Sequence, residues 1–122
     1  MRNAPVISIV DDDESVGVAM KEMVESFGYR AAAFASGAEF LDGACLIADV
    51  RMPGMSGLDL YDQLIASGHS IPTIFVTAFP YERDRDRAME SGAIAYLSKP
   101  CRRDHLLAHI RAALASRSVR GK

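Results

Sequence analysis

Val6-Ile-Ser-Ile-Val10 is an apolar, mostly β-branched run that stops abruptly at three aspartates. Such a run is too short for a signal-peptide core, and its near-continuous apolarity suits a strand covered on both faces, as in a parallel sheet. Runs of the same kind return at Cys45–Ala48 and Thr73-Ile-Phe-Val76, with weaker strand signals at Arg30–Phe34 and Ala95-Tyr-Leu97. Between them the apolar spacing becomes helical. Val16, Met20, Met23, Val24 and Phe27 share one stripe closed by Gly28; Leu58, Tyr61, Leu64 and Ile65 share another closed by Gly68; Leu107, Ile110 and Leu114 mark the last. Residues 82–91 form a further helix of alternating charge, with Pro80 suited to its first turn. Ser36 and Glu39 have the spacing of a capping box for a brief second helix.

Strand and helix thus alternate five times along the chain. That alternation predicts an α/β fold, a single doubly wound parallel sheet with helices on both faces and right-handed crossovers. At 122 residues, one domain is expected, with a core over about 6–115 and residues 116–122 as a frayed tail or the start of a linker. Only ten residues, 35–44, separate the second and third strands, so the second helix should be stunted, leaving Phe40 and Leu41 thinly covered.

Composition narrows the function classes. Apolar residues make up 49% and charged residues 25%, as in an ordinary soluble globular protein. A net charge of −2 provides no chain-wide attraction to nucleic acid or anionic lipid, and no apolar stretch approaches membrane-spanning length. Cys45 and Cys101 lack any metal-binding or disulfide pattern, which suits small packing residues in a reducing, cytoplasmic setting. His69, His105 and His109 have no partner pattern and read as surface residues; Arg102, Arg103, Arg111, Arg117 and Arg120 read as cations favoured near the end of the last helix.

In open α/β sheets, ligands collect at the carboxyl ends of the strands. There the chain places Asp11 and Asp12, then Asp49, then Thr77, then Lys99 before Pro100. Three carboxylates in one cleft resist ionisation unless a cation offsets them, and a hard divalent ion such as Mg²⁺, or Mn²⁺, accepts that donor set. A carboxylate can also attack phosphorus when cationic and hydroxyl donors absorb charge on the phosphoryl oxygens, which suits Asp49 as nucleophile with Thr77 and Lys99 as donors. Asp13 and Glu14, by contrast, read as the acidic first turn of a helix.

Val10-Asp-Asp12, Asp49-Val-Arg-Met-Pro-Gly-Met-Ser-Gly57, Val76-Thr-Ala78 and Tyr96-Leu-Ser-Lys-Pro100 resemble the signature segments of CheY-like response-regulator receiver domains, most of all those of two-component transcription regulators. The resemblance implies a flavodoxin-like sheet of order 2-1-3-4-5. CheY is itself a standard illustration of that order, so the order here is borrowed. It further implies a phosphoacceptor at Asp49, Mg²⁺ held by Asp11, Asp12, Asp49 and the Arg51 backbone carbonyl, and Thr77 with Lys99 on the phosphoryl group. Thr77 and Tyr96 would be the switch residues and Lys99–Pro100 a cis bond. The implied donor is a sensor histidine kinase or phosphotransfer protein. The responding face would be the fourth helix, fifth strand and fifth helix, where a homodimer would also form. Residues 82–87, on that face, read first as a solvated helix with local ion pairs and secondly as a docking surface. The resemblance implies no enzyme beyond self-phosphorylation and dephosphorylation, and no direct nucleic-acid or membrane contact. Phe79, bulky and two residues past Thr77, is expected to restrict access to Asp49.

Two other readings compete. Asp11-Asp-Asp13-Glu-Ser15 also resembles the nucleophile segment of haloacid-dehalogenase-like phosphatases, with serine a misfit in its last place. The remaining alternative is a receiver-shaped interaction module that takes no phosphate.

Overall fold

The computed structural model describes residues 5–36 and 43–120, with side chains described through residue 115. Its strands are β1 (Val6–Val10), β2 (Arg30–Phe34), β3 (Cys45–Ala48), β4 (Thr73–Thr77) and β5 (Ala95–Ser98). Its helices are α1 (Glu14–Ser26), α2 (Gly57–Ala66), α3 (Glu82–Glu90) and α4 (Arg103–Arg120). All four strand pairings are parallel and the order is β2-β1-β3-β4-β5. The chain is therefore the doubly wound α/β sheet its alternation implies, in the order the family resemblance supplies. The stunted second helix, Phe40 and Leu41 lie outside the described residues.

Why the central strands read so clearly is visible in their burial. Every residue of β3 and β4 is buried, while the edge strands β2 and β5 are partly open. Alternate side chains enter two separate cores. Ile7, Ile9, Cys45, Ile47, Ile74 and Val76 meet α1 and α4 on one face. Val10, Leu46, Ala48 and Phe75 meet α2 and α3 on the other, where the Tyr61 ring packs edge-on against Phe75 at 5.6 Å.

Several expectations need correction. The buried face of α4 is Leu106, Ile110 and Ala113, with Leu107 and Leu114 only partly covered, so the predicted stripe was rotated by one residue. The helix spans Arg103–Arg120. Arg102 and Arg103 stand at the start of α4, not near its end; Arg103 lies over the Phe27 ring at 5.0 Å and donates to Ser26 Oγ at 3.0 Å. Pro80 precedes the N-cap Tyr81 and so sits outside α3.

The loop after β3 holds two glycines for different reasons. Gly54 adopts φ +82°, a left-handed conformation that costs other residues strain. Gly57 needs no such angle; a Cβ there would overlap the Asp49 carbonyl oxygen. Its N–H donates to Val50 O at 3.0 Å, closing the loop against the strand end.

Candidate functional site

The sheet ladder continues one residue past three of the strands, and those residues are the ones that carry chemistry. Asp11 N–H donates to Phe34 O at 3.0 Å, Asp49 N–H to Val10 O at 2.9 Å, and Lys99 N–H to Thr77 O at 2.8 Å. Their backbones are thus fixed by the sheet's own hydrogen-bond ladder. Only the side chains are left to project beyond the strand tips.

Asp11, Asp12 and Asp49 each offer a carboxylate oxygen, and these atoms lie within 4.8 Å of one another. Lys99 Nζ stands 2.7 Å from Asp11 Oδ2 and 3.6 Å from Asp49 Oδ2. Asp11, Asp49 and Thr77 are buried, whereas Asp12 is exposed. These residues line a cavity of about 300 Å³ together with Arg51, Ala78 and Phe79. Phe79 is 65% exposed, at the rim of that cavity.

The electrostatics follow from burial and crowding. Desolvation pushes the Asp49 carboxyl above the ordinary aspartate range, reinforced by Asp11 and Asp12 and opposed by Lys99 and by a hydrogen bond from the Arg51 backbone. Burial works against the Lys99 charge too, but its hydrogen bond to Asp11 and the attraction of Asp11 and Asp49 outweigh it and raise the ammonium above the usual lysine range. Three carboxylates against one ammonium leave two formal negative charges, which a divalent cation would cancel. All the donors are hard oxygens, the type Mg²⁺ and Mn²⁺ prefer. The residues present therefore fit such an ion.

Thr77 Oγ1 accepts from Phe79 N–H at 3.2 Å, an arrangement that uses a lone pair and not the hydroxyl proton. Tyr96 is half-buried, and its hydroxyl oxygen accepts from Tyr81 N–H at 3.1 Å. The Lys99–Pro100 peptide is cis. Asp13, which a phosphatase-type D-x-D segment would need free, is instead the N-cap of α1, accepting from Ser15 N–H, Ser15 Oγ and Val16 N–H.

Sequence reasoning missed the side chain of Arg51. It donates to Asp84 Oδ2 at 2.7 Å, and its Cζ lies 4.8 Å from the centre of the Tyr81 ring. No local pattern signals this pairing, because the residues are 33 apart in sequence. The charges of α3 are accordingly more than a solvated face. Its intrahelical contacts, Arg85 to Glu82 at 3.7 Å and to Asp86 at 3.9 Å, are longer than those reaching other elements: Arg51–Asp84, and Arg87 to Asp62 at 2.7 Å.

Among known proteins, the family model for the response regulator receiver domain matches residues 7–111. The response regulator protein TmoT of Ectopseudomonas mendocina is 43% identical over 115 residues, covering 89% of this chain and 52% of the relative. TodT of Pseudomonas putida F1 is 42% identical over 117 residues, covering 91% and 52%. The chain thus spans about half the length of the curated relatives it matches. Of the solved structures, the response regulator StyR superposes with a TM-score of 0.88 at 36% identity, covering 96% of this chain and 62% of that one. A FixJ-N structure gives 0.83 at 28%, covering 90% and 93%. No described helix is long and apolar enough to cross a membrane. With the matched segment taking in Asp11, Asp12, Asp49 with the loop that follows it, and the Lys99–Pro100 corner, the chain belongs to the response regulator receiver domains of two-component systems.

Proposed function

We propose that this receiver domain accepts a phosphoryl group on Asp49 from the phosphohistidine of a sensor kinase or phosphotransfer protein. The observation that carries the reading is the meeting of Asp11, Asp12 and Asp49 oxygens within 4.8 Å, with Lys99 Nζ 2.7 Å from Asp11 and 3.6 Å from Asp49. An Asp49 carboxylate oxygen attacks phosphorus, the P–N bond to the donor imidazole breaks, and the electron pair leaves on the imidazole nitrogen, which takes up a proton. Asp11, Asp12, Asp49 and the Arg51 carbonyl would hold Mg²⁺, whose charge when bound offsets that on the phosphoryl oxygens. Lys99 supplies a point charge from its side of the cleft. The Thr77 hydroxyl proton is the neutral donor opposite.

In this reading, drawing Thr77 toward the phosphoryl group pulls on the loop from Ala78 to Tyr81 and loosens the Tyr81–Tyr96 hydrogen bond. Tyr96 is then released to reorient, and the face made by α3, β5 and α4 changes. Those two helices are the family's fourth and fifth. A change in pairing through that face is the output such a domain can provide.

Incubating the chain with Mg²⁺ and a small acyl phosphate, then measuring intact mass, tests the proposal. One added phosphoryl group is expected, absent in Asp49→Asn and after chelation of the metal. An unchanged mass would favour a receiver-shaped interaction module instead. Phe79→Ala should alter the lifetime of the phosphorylated form, as followed by the decay of the added mass; an unchanged lifetime would remove Phe79 as a gate.

A further inference from the structure

Residue 51 touches both the cavity at Asp49 and the start of α3. It lines the cavity at Asp49 together with Asp11, Asp12 and Lys99, which puts it inside the acceptor site. Its side chain leaves that site altogether, donating to Asp84 in the first turn of α3 at 2.7 Å and lying over the Tyr81 ring at 4.8 Å. Tyr81 in turn donates its N–H to the Tyr96 hydroxyl at 3.1 Å. The Asp84 side chain is only 13% exposed, so this pair is better shielded than the others of α3. A planar guanidinium can hold a carboxylate and an aromatic face at once, which an ammonium does poorly.

We infer that Arg51 is a positioning residue that couples the acceptor site to α3: its guanidinium ties the Asp49 loop to Asp84 and Tyr81, so a change at the site moves Tyr81. The inference rests on the metal and phosphoryl reading above, because what moves the loop is occupation of that site. Coupling of this kind is reciprocal, so the placement of Tyr81 also biases occupation of the site. The tie is independent of Thr77, giving the site a second line to the same loop. One line pulls at Thr77 and the other at Tyr81.

Amide NMR of the 122-residue chain titrated with Mg²⁺ separates the possibilities. In the unaltered chain, Asp11, Asp12, Asp49 and Tyr81 resonances should shift with one midpoint. In Asp84→Asn, which lies outside the metal site, the three aspartate resonances should still shift at saturation, while the Mg²⁺-induced shift at Tyr81 falls by about half or more. Exchanging the charges, Arg51→Glu with Asp84→Arg, should restore part of the Tyr81 response, a rescue that a merely structural role would not produce. A Tyr81 response unchanged in Asp84→Asn overturns the coupling and leaves the metal reading intact. Absence of any shift at the three aspartates in the unaltered chain defeats the metal reading, and the coupling with it.

Discussion

Helices α3 and α4 cover opposite faces of the sheet and are held there by different forces. α4 buries Leu106, Ile110 and Ala113 completely. α3 buries Ala88 alone, and its firmest contacts are Arg51–Asp84 and the fork of Arg87 onto Asp59 at 3.1 Å and Asp62 at 2.7 Å. A buried leucine or isoleucine contributes about 2 kcal/mol, whereas an exposed ion pair contributes at most about 1 kcal/mol. Helix α4 is therefore fixed by apolar area and α3 by directional, salt-sensitive ties. A domain that must move one element without unfolding has reason to build it like α3. Tyr81 and Met89, both exposed, lie along that lightly held element.

The contrast can be broken by substitution. Leu106→Ala should cost about 3 kcal/mol of stability, measured by urea denaturation, because it empties a fully buried site between α4 and the sheet. Loss of less than about 1 kcal/mol would mean that α4 is not the anchored helix.

Asp49→Asn should act in the opposite direction, raising the stability of the chain near neutral pH in the absence of divalent cation. Burial raises the folded-state pKa of Asp49 above its unfolded value. The protonated form is thus favoured on folding; the resulting stability is complete below the unfolded pKa and is lost as pH rises through the folded one. The ionised carboxylate is therefore a burden at neutral pH, and the gain from asparagine should vanish toward acid. Thermal melts across that range check the sign, and a lower Tm for Asp49→Asn at neutral pH would refute it. Such a burden is what a site built for chemistry carries and what neither helix interface contains.

Arg87→Ala should have the smallest effect, under about 1 kcal/mol and shrinking as salt is added. A salt-independent cost as large as that of Leu106→Ala would erase the distinction between the helices.

The architecture was legible because β3 and β4 are buried on both faces, which forces continuous apolar runs ending sharply in polar residues. The site was legible for the same reason: Asp11, Asp49 and Lys99 follow strands whose parallel register brings their ends to one edge. On α4 the reading slipped by one residue because Leu106 and Leu107 are adjacent and equally apolar, and only packing decides which turns inward. The role of the Arg51 side chain was hidden because ion pairs between distant segments leave no periodicity. The family resemblance marks only the backbone carbonyl of Arg51. Asp84 was one charge in an alternating run, with nothing local to single it out from Asp86.

The central claim is that Asp49, among three neighbouring carboxylates, is the one that takes the phosphoryl group. After incubation with Mg²⁺ and a small acyl phosphate, borohydride reduction converts an aspartyl phosphate to homoserine, which peptide mapping locates. The account predicts homoserine at position 49 and at neither 11 nor 12. Homoserine at Asp11 or Asp12, or none anywhere in the chain, would contradict it.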